Sequence, residues 1–369
     1  MTLMTIQGSD KERNELTPAQ KAVQLAGEFY SVREIDKAIE KYQEALVLDP
    51  DMIDAYLGLA RIYLVEIQDY DKALAMYQAA SERAPQDAYT RTALAYAYFV
   101  VGRYEESIAE YVVAVGISSE DADAFLNLGY AYAKVGDDVS AINAYRRAAE
   151  LSPQDGRIVQ QLAHLYYTNG MYDHAIAAYE QLQRLGAASD HSLSTLGFLY
   201  MKVGAYGKAE SVLLALLERE PDNFDARANL ASIYRSTSRF AEAIEQFNTL
   251  VEMQPGNPTY LAALADAYND AGRYGDAIVA ARRLLVVSPG HGSAYLAWAK
   301  ALEKQADALV EAEGFDAAVV MYENAISKLE EARRDPQWRS HAVKEIDRQN
   351  QHIERAKQKE RDEIYNRDK

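Results

Sequence analysis

Residues 124–132 read Ala-Phe-Leu-Asn-Leu-Gly-Tyr-Ala-Tyr, and a related run, Arg157 to Tyr166, closes 34 residues later on Tyr166. The interval continues through Tyr200, Tyr234 and Tyr268. Backwards it reaches Tyr98, and then Tyr63 after one extra residue near Gln68. A fixed period of this length signals stacked copies of one small supersecondary unit.

Three further registers keep the same step. Small residues recur at Ala38, Ala73, Ser107, Ala141, Ala175, Ala209, Ala243 and Ala277. Prolines recur at Pro50, Pro85, Pro153, Pro221, Pro255 and Pro289, with Ser119 and Ala187 standing at two of the expected places. Gly102, Gly136, Gly170, Gly204, Ser238 and Gly272 precede the small-residue register by five. Within the fourth unit, Phe125, Leu128, Gly129 and Tyr132 share one face of a helix predicted over 122–135. Gly136 supplies a turn, because positive φ is cheap without a Cβ. A second helix is predicted over 139–151, with Ala141, Ile142, Tyr145 and Ala148 on its face. Pro153 then stops it. The small side chains at 129 and 141 allow close approach of the two helices, and tyrosines fill the space around them. Eighteen of the 27 tyrosines fall in three repeat slots, which makes most of that excess structural.

These residues resemble the tetratricopeptide repeat, whose signature is W-x2-L-G-x2-Y, A-x3-F and P over about 34 residues. The opening Trp is replaced by Tyr56, Arg91, Phe125, Val159, Leu193, Arg227, Leu261 and Tyr295. The resemblance covers about 19–330, as nine units starting near 19, 53, 88, 122, 156, 190, 224, 258 and 292. It implies an all-α fold: a right-handed superhelix of antiparallel helix pairs, held mainly by neighbour contacts. The organisation expected is a disordered segment over 1–16, the array over 17–334 and a C-terminal capping or tail helix over 335–369. Thr17-Pro18 suits a helix start. In the ninth unit Phe315, Ala318, Tyr322 and Ala325 come seven residues late, nearly two turns, so both helices should be longer there. After Asp335-Pro336 the apolar residues Trp338, Ala342, Val343 and Ile346 can cover the end of the stack, whereas Ile353, Ala356 and Ile364 are sparse. A solvated cap and a partner-docking or coiled-coil segment both remain open for that helix.

The composition restricts function. The chain has 369 residues, 49% hydrophobic and 26% charged, with a formal charge of -17. Such an acidic surface repels phosphate, so no nucleic-acid partner is expected. With no cysteine, thiol chemistry and cysteine-held zinc are excluded. No run approaches the roughly 18 apolar residues of a membrane span. The start, MTLMTIQGSDKERNELTP, lacks a signal-peptide core, and a cytoplasmic location is expected. No convergent catalytic set stands out. His164 and His174 lie on different helices, and Gly290-His291-Gly292 lacks the context of a phosphate loop. The reading is therefore non-enzymatic, with no cofactor and no metal.

The resemblance also implies that the first helix of each pair lines an inner, concave face that binds peptides. One inward slot reads Gly27, Arg61, Tyr96, Tyr130, His164, Phe198, Ser232 and Asp266. Tyr96, Tyr130, His164 and Phe198 should form an aromatic stripe, joined by Phe99, Asn127, Lys134, Arg157, Gln160, Gln161, Tyr167, Thr195, Met201 and Lys202. Exposed aromatic rings beside amides and cations suit a peptide or helix, though packing of the rings on neighbouring helices, or on the chain's own tail, stays open. Units seven and eight turn polar and acidic, with Asp225, Asn229, Ser232, Arg235, Asp266, Asn269 and Asp270. The carboxylate clamp of chaperone-binding relatives needs Lys, Asn, Asn, Lys and Arg. Thr92, Tyr96, Asn127, Arg157 and Gln161 do not fit it, nor do Ser194, Phe198, Asn229, Thr259 and Ala263. The asparagine ladder of the glycosyltransferase relatives reduces to Asn127 and Asn229. The function expected is a scaffold or adaptor that binds a protein or peptide segment in the groove. The alternatives are a self-assembling protein, oligomerising through its end units or tail, and an accessory subunit of a secretion, pilus or glycosylation machine.

Overall fold

A computed structural model describes residues 16–367. The segment expected to be disordered, 1–16, lies outside the described residues except for Leu16. The chain divides into two compact units, the first ending at Ala187 and the second starting at Ala188.

The first unit consists of five helix pairs. They are α1 (Pro18–Ser31) with α2 (Ile35–Leu48), α3 (Ile53–Arg61) with α4 (Tyr70–Arg83), α5 (Ala88–Val101) with α6 (Tyr104–Ile117), α7 (Ala122–Lys134) with α8 (Asp138–Leu151) and α9 (Gly156–Thr168) with α10 (Tyr172–Arg184). The second unit has four pairs and a last single helix. These are α11 (Asp190–Lys202) with α12 (Tyr206–Arg219), α13 (Phe224–Ser236) with α14 (Phe240–Met253), α15 (Pro258–Asp270) with α16 (Tyr274–Val287), α17 (Gly292–Glu311) with α18 (Phe315–Ala332), and then α19 (Arg339–Arg367). Every first helix starts within one residue of its predicted position. Among the described residues there is no strand.

Local chemistry repeats with the period. Asp87, Asp121, Asp155, Ser189, Asn223 and Asn257 cap successive first helices, each side chain accepting from a backbone N–H of the first turn. At the other end, the carbonyl of the closing tyrosine accepts from the N–H five residues on. The bond from Arg103 to Tyr98 is 2.9 Å and that from Arg239 to Tyr234 is 2.7 Å. This closure needs a left-handed residue. Gly136 supplies it at φ 78°, but Ser238 must adopt φ 59° with a side chain. The extra residue of the second helix pair is absorbed at the end of α3. Ile62–Ile67 continues α3 as a π-helix, Gln68 turns left-handed, and Asp69 bonds to the Tyr63 carbonyl at 2.9 Å, six residues back.

The core lies between the helices of each pair and continues between successive pairs of the first unit, as where Ala38 and Tyr42 of α2 pack with Ala55 and Leu59 of α3. All eight residues of the small register are fully buried, as is Ala318 in the late-running ninth pair. Ser107 is tolerated there because its hydroxyl donates to the Ala95 carbonyl at 2.8 Å. The second-helix tyrosines Tyr42, Tyr77, Tyr111, Tyr145, Tyr179 and Tyr322 are all buried. The tyrosines just after the turn are not core: Tyr70 and Tyr172 are exposed. Gly129 lets Tyr145 lie on the backbone of α7; a Cβ there would stand 2.4 Å from the ring.

The ninth pair is longer, as expected, with 20 residues in α17 and 18 in α18. Helix α19 lies against it through Ala342, Ile353 and Ala356. Buried Glu303 on α17 accepts from Gln349 at 2.7 Å and from Arg348 at 2.5 Å. Ile364 and Tyr365, near the end of α19, are exposed. Among the described residues no helix is long and apolar enough to cross a membrane.

Candidate protein-binding surface

In the first unit the candidate residues lie on the first helices α3, α5, α7 and α9. Equivalent slots recur on successive first helices, so side chains one period apart stand on neighbouring helices. Tyr96 on α5 is 49% exposed, and His164 on α9 is exposed. Tyr89, seven residues before Tyr96 on the same face of α5, is 69% exposed. It is absent from the sequence-derived set, although it fills the second inward slot of its unit. Tyr130 on α7 is half-buried. Its ring meets Tyr145 edge-on at 5.7 Å, and burial pushes its phenol pKa up. One side of that ring is therefore core and the rest is available.

The other predicted members divide. Phe99 is half-buried, edge-on to Tyr104 at 5.4 Å and packed beside Tyr111 and Leu128, so it serves the core at least as much as the face. Asn127, Gln161 and Tyr167 are half-buried, and Lys134 is exposed. Arg157 is exposed but neutralised, at 3.0 Å from Asp123 on α7 and 2.7 Å from its own cap Asp155. These hydrogen bonds raise the guanidinium pKa and hold the Asp155 carboxyl below the usual carboxylate range.

Phe198, Met201 and Lys202 lie on α11 in the second unit. The Lys202 ammonium stands 5.2 Å from the centre of the half-buried Phe198 ring. Thr195 is buried, its hydroxyl donating to the His191 carbonyl at 2.9 Å, so it does not line the face. The polar slots form a charge network across first helices. Arg235 on α13 donates to Asp270 on α15 at 2.6 Å and approaches Asp266 to 3.6 Å, and Lys300 on α17 donates to Asp270 at 2.9 Å. Burial pushes the Asp270 carboxyl up, but hydrogen bonds from Lys300 and Arg235 outweigh it and leave the pKa lowered. At Asp266 burial prevails and the pKa is raised. Asn269 is buried, its amide donating to the Ala297 carbonyl at 2.9 Å. Much of this polar series therefore ties neighbouring helices together. Among the described residues no three His, Asp or Glu side chains could hold a metal ion.

Models of the tetratricopeptide repeat match the chain at 31–95, 96–136, 122–155, 156–185 and 195–258. The chain belongs to the tetratricopeptide repeat family. No curated protein sequence matches it. Among solved structures, the C-terminal part of a TPR repeat-containing protein from Cytophaga hutchinsonii is similar, with 19% identity and a TM-score of 0.53 over 65% of this chain and 98% of that one. A structure of Naa15/Naa10 bound to HypK is similar over 86% of this chain and 51% of that one, with 14% identity and a TM-score of 0.52. Both likenesses concern the fold. As a tetratricopeptide repeat array, the chain is a protein–protein interaction scaffold.

Proposed function

We propose that this tetratricopeptide repeat protein is a non-enzymatic adaptor that holds an extended or helical protein segment on the first-helix face of its first unit, in the cytoplasm. The observation that carries the reading is the exposure of Tyr89 and Tyr96 on one face of α5, with Tyr130 at the matching slot of α7. Large aromatic side chains left in water are costly to keep and rewarding to cover, because they bury much area for few rotatable bonds. The repeat geometry supports it: the rings are carried by helices whose packing is fixed by buried alanines and tyrosines, so little ordering is needed on binding.

The test is selection of binders from a displayed library of random peptides, followed by titration of the selected peptides. Changing Tyr96 and Tyr130 together to Ala should cost about 1–2 kcal/mol per ring. Circular dichroism checks that the fold survives. Unchanged affinity in the folded double variant removes this face as the binding site.

A further inference from the structure

The chain carries a formal charge of -17, and cations in its first unit commonly sit against carboxylates. Arg33 pairs with Glu66, Arg91 with Glu110 and Arg157 with Asp123. Two cations of the first-helix face depart from this habit. Arg61 occupies on α3 the slot that Tyr96 fills on α5. It is exposed, and its guanidinium stands 5.2 Å from the Tyr30 ring centre; among the described residues it has no ion-pair partner. Lys134 closes α7, four residues after Tyr130, and is likewise exposed without an ion-pair partner among the described residues. The exposed acids of the face are accounted for differently. Asp123 is held by Arg157, and Asp54 lies in the first turn of α3, where the helix dipole favours an anion. The aromatic slots of α5 and α7 are thus bracketed by two unneutralised cations on an otherwise acidic protein.

We propose that the partner segment carries carboxylates, received by Arg61 and Lys134, on either side of an aromatic or apolar residue that covers Tyr96 and Tyr130. This rests on the binding face proposed above and adds the chemistry of its ligand. The net negative charge does not oppose it at physiological ionic strength. The screening length is then about 8 Å, so distant carboxylates are hidden while direct pairs persist. Such contacts select the partner and set its direction on the face.

The probe is a fluorescein-labelled random copolymer of glutamate and tyrosine, titrated by fluorescence anisotropy at about 0.15 M salt. Saturable binding is expected. The Arg61→Glu, Lys134→Glu double variant should weaken it about tenfold or more. Arg146→Glu with Arg147→Glu on α8, an equal change in net charge among exposed second-helix positions, should not. All four side chains are exposed, and circular dichroism verifies folding; Lys134→Glu alone should give part of the loss. Equal weakening by both reversals, or no saturable binding of the copolymer, overturns the proposal. Library-selected peptides that still lose affinity with Tyr130→Ala would, in that event, leave the binding face standing without its acidic ligand.

Discussion

Adding one methyl group at Gly129 should destabilise the protein, although alanine is the better helix former. A Cβ at Gly129 would lie 2.4 Å from Cδ1 and Cε1 of Tyr145 and 3.0 Å from its Cζ. Carbon atoms are at ease at about 3.5–4.0 Å. The ring has little room to retreat, being 2% exposed and met edge-on by Tyr130. Overpacking of this kind costs about 1–3 kcal/mol, and the helix propensity of Ala returns about 1 kcal/mol. The net expectation for Gly129→Ala is a loss of up to about 2 kcal/mol. Gly27 in α1 is the control, because a Cβ there would meet nothing within 4 Å. Gly27→Ala should gain up to about 1 kcal/mol. Urea unfolding followed by circular dichroism reads both, and the two midpoints should move in opposite directions. A Gly129→Ala midpoint at or above that of the parent protein would refute the stacking of Tyr145 on the α7 backbone.

Ser238→Gly should raise the free energy of urea unfolding by about 0.5–1 kcal/mol, since it relieves a left-handed residue at φ 59°; a lowered value would mean that no strain is held there. Burial pushes the Tyr77 phenol up to about 12 and raises those of Tyr111 and Tyr145 as well, whereas an unfolded phenol titrates near about 10. The folded state holds these protons more tightly, so their contribution is complete below about pH 10 and is lost as pH rises through the folded values. Alkaline unfolding should therefore shift upward in Tyr111→Phe, as read by circular dichroism against pH. Glu303→Ala removes the buried acceptor of Arg348 and Gln349, and discounting for the exposed Arg348 head it should loosen α19 by about 1–2 kcal/mol. Limited proteolysis should then cut within α19 before the rest of the chain.

The period of 34 made the pairing of helices legible, because each register marks one structural duty: cap, turn, close approach or ring. Late-running Ala318 shows why phase matters more than spacing. A shift of nearly two turns keeps the residue on the buried face, and it is fully buried. The extra residue near Gln68 was legible as an insertion, but its resolution as a π-turn was not. That depends on which backbone bond lengthens by one residue, and no side chain announces it. The binding face was legible only in outline. Thr195 and Asn269 occupy inward slots yet find carbonyls to bond and disappear from the surface. Arg157 reads as a free cation until Asp123, one period earlier, is placed beside it. That pair could have been found by comparing equal slots in consecutive units. Tyr89 was not legible because the second slot carries no aromatic period, holding Asp54, Asp123 and Arg157 in the flanking units, although it lies on the same face two turns before the ninth.

Hydrogen–deuterium exchange with a library-selected peptide tests the central claim most directly. Slowed exchange is expected in α3, α5, α7 and α9, strongest around Tyr96 and Tyr130, with α4, α6, α8 and α10 unchanged. Protection confined to those second helices, with the first helices exchanging as in the free protein, would contradict it.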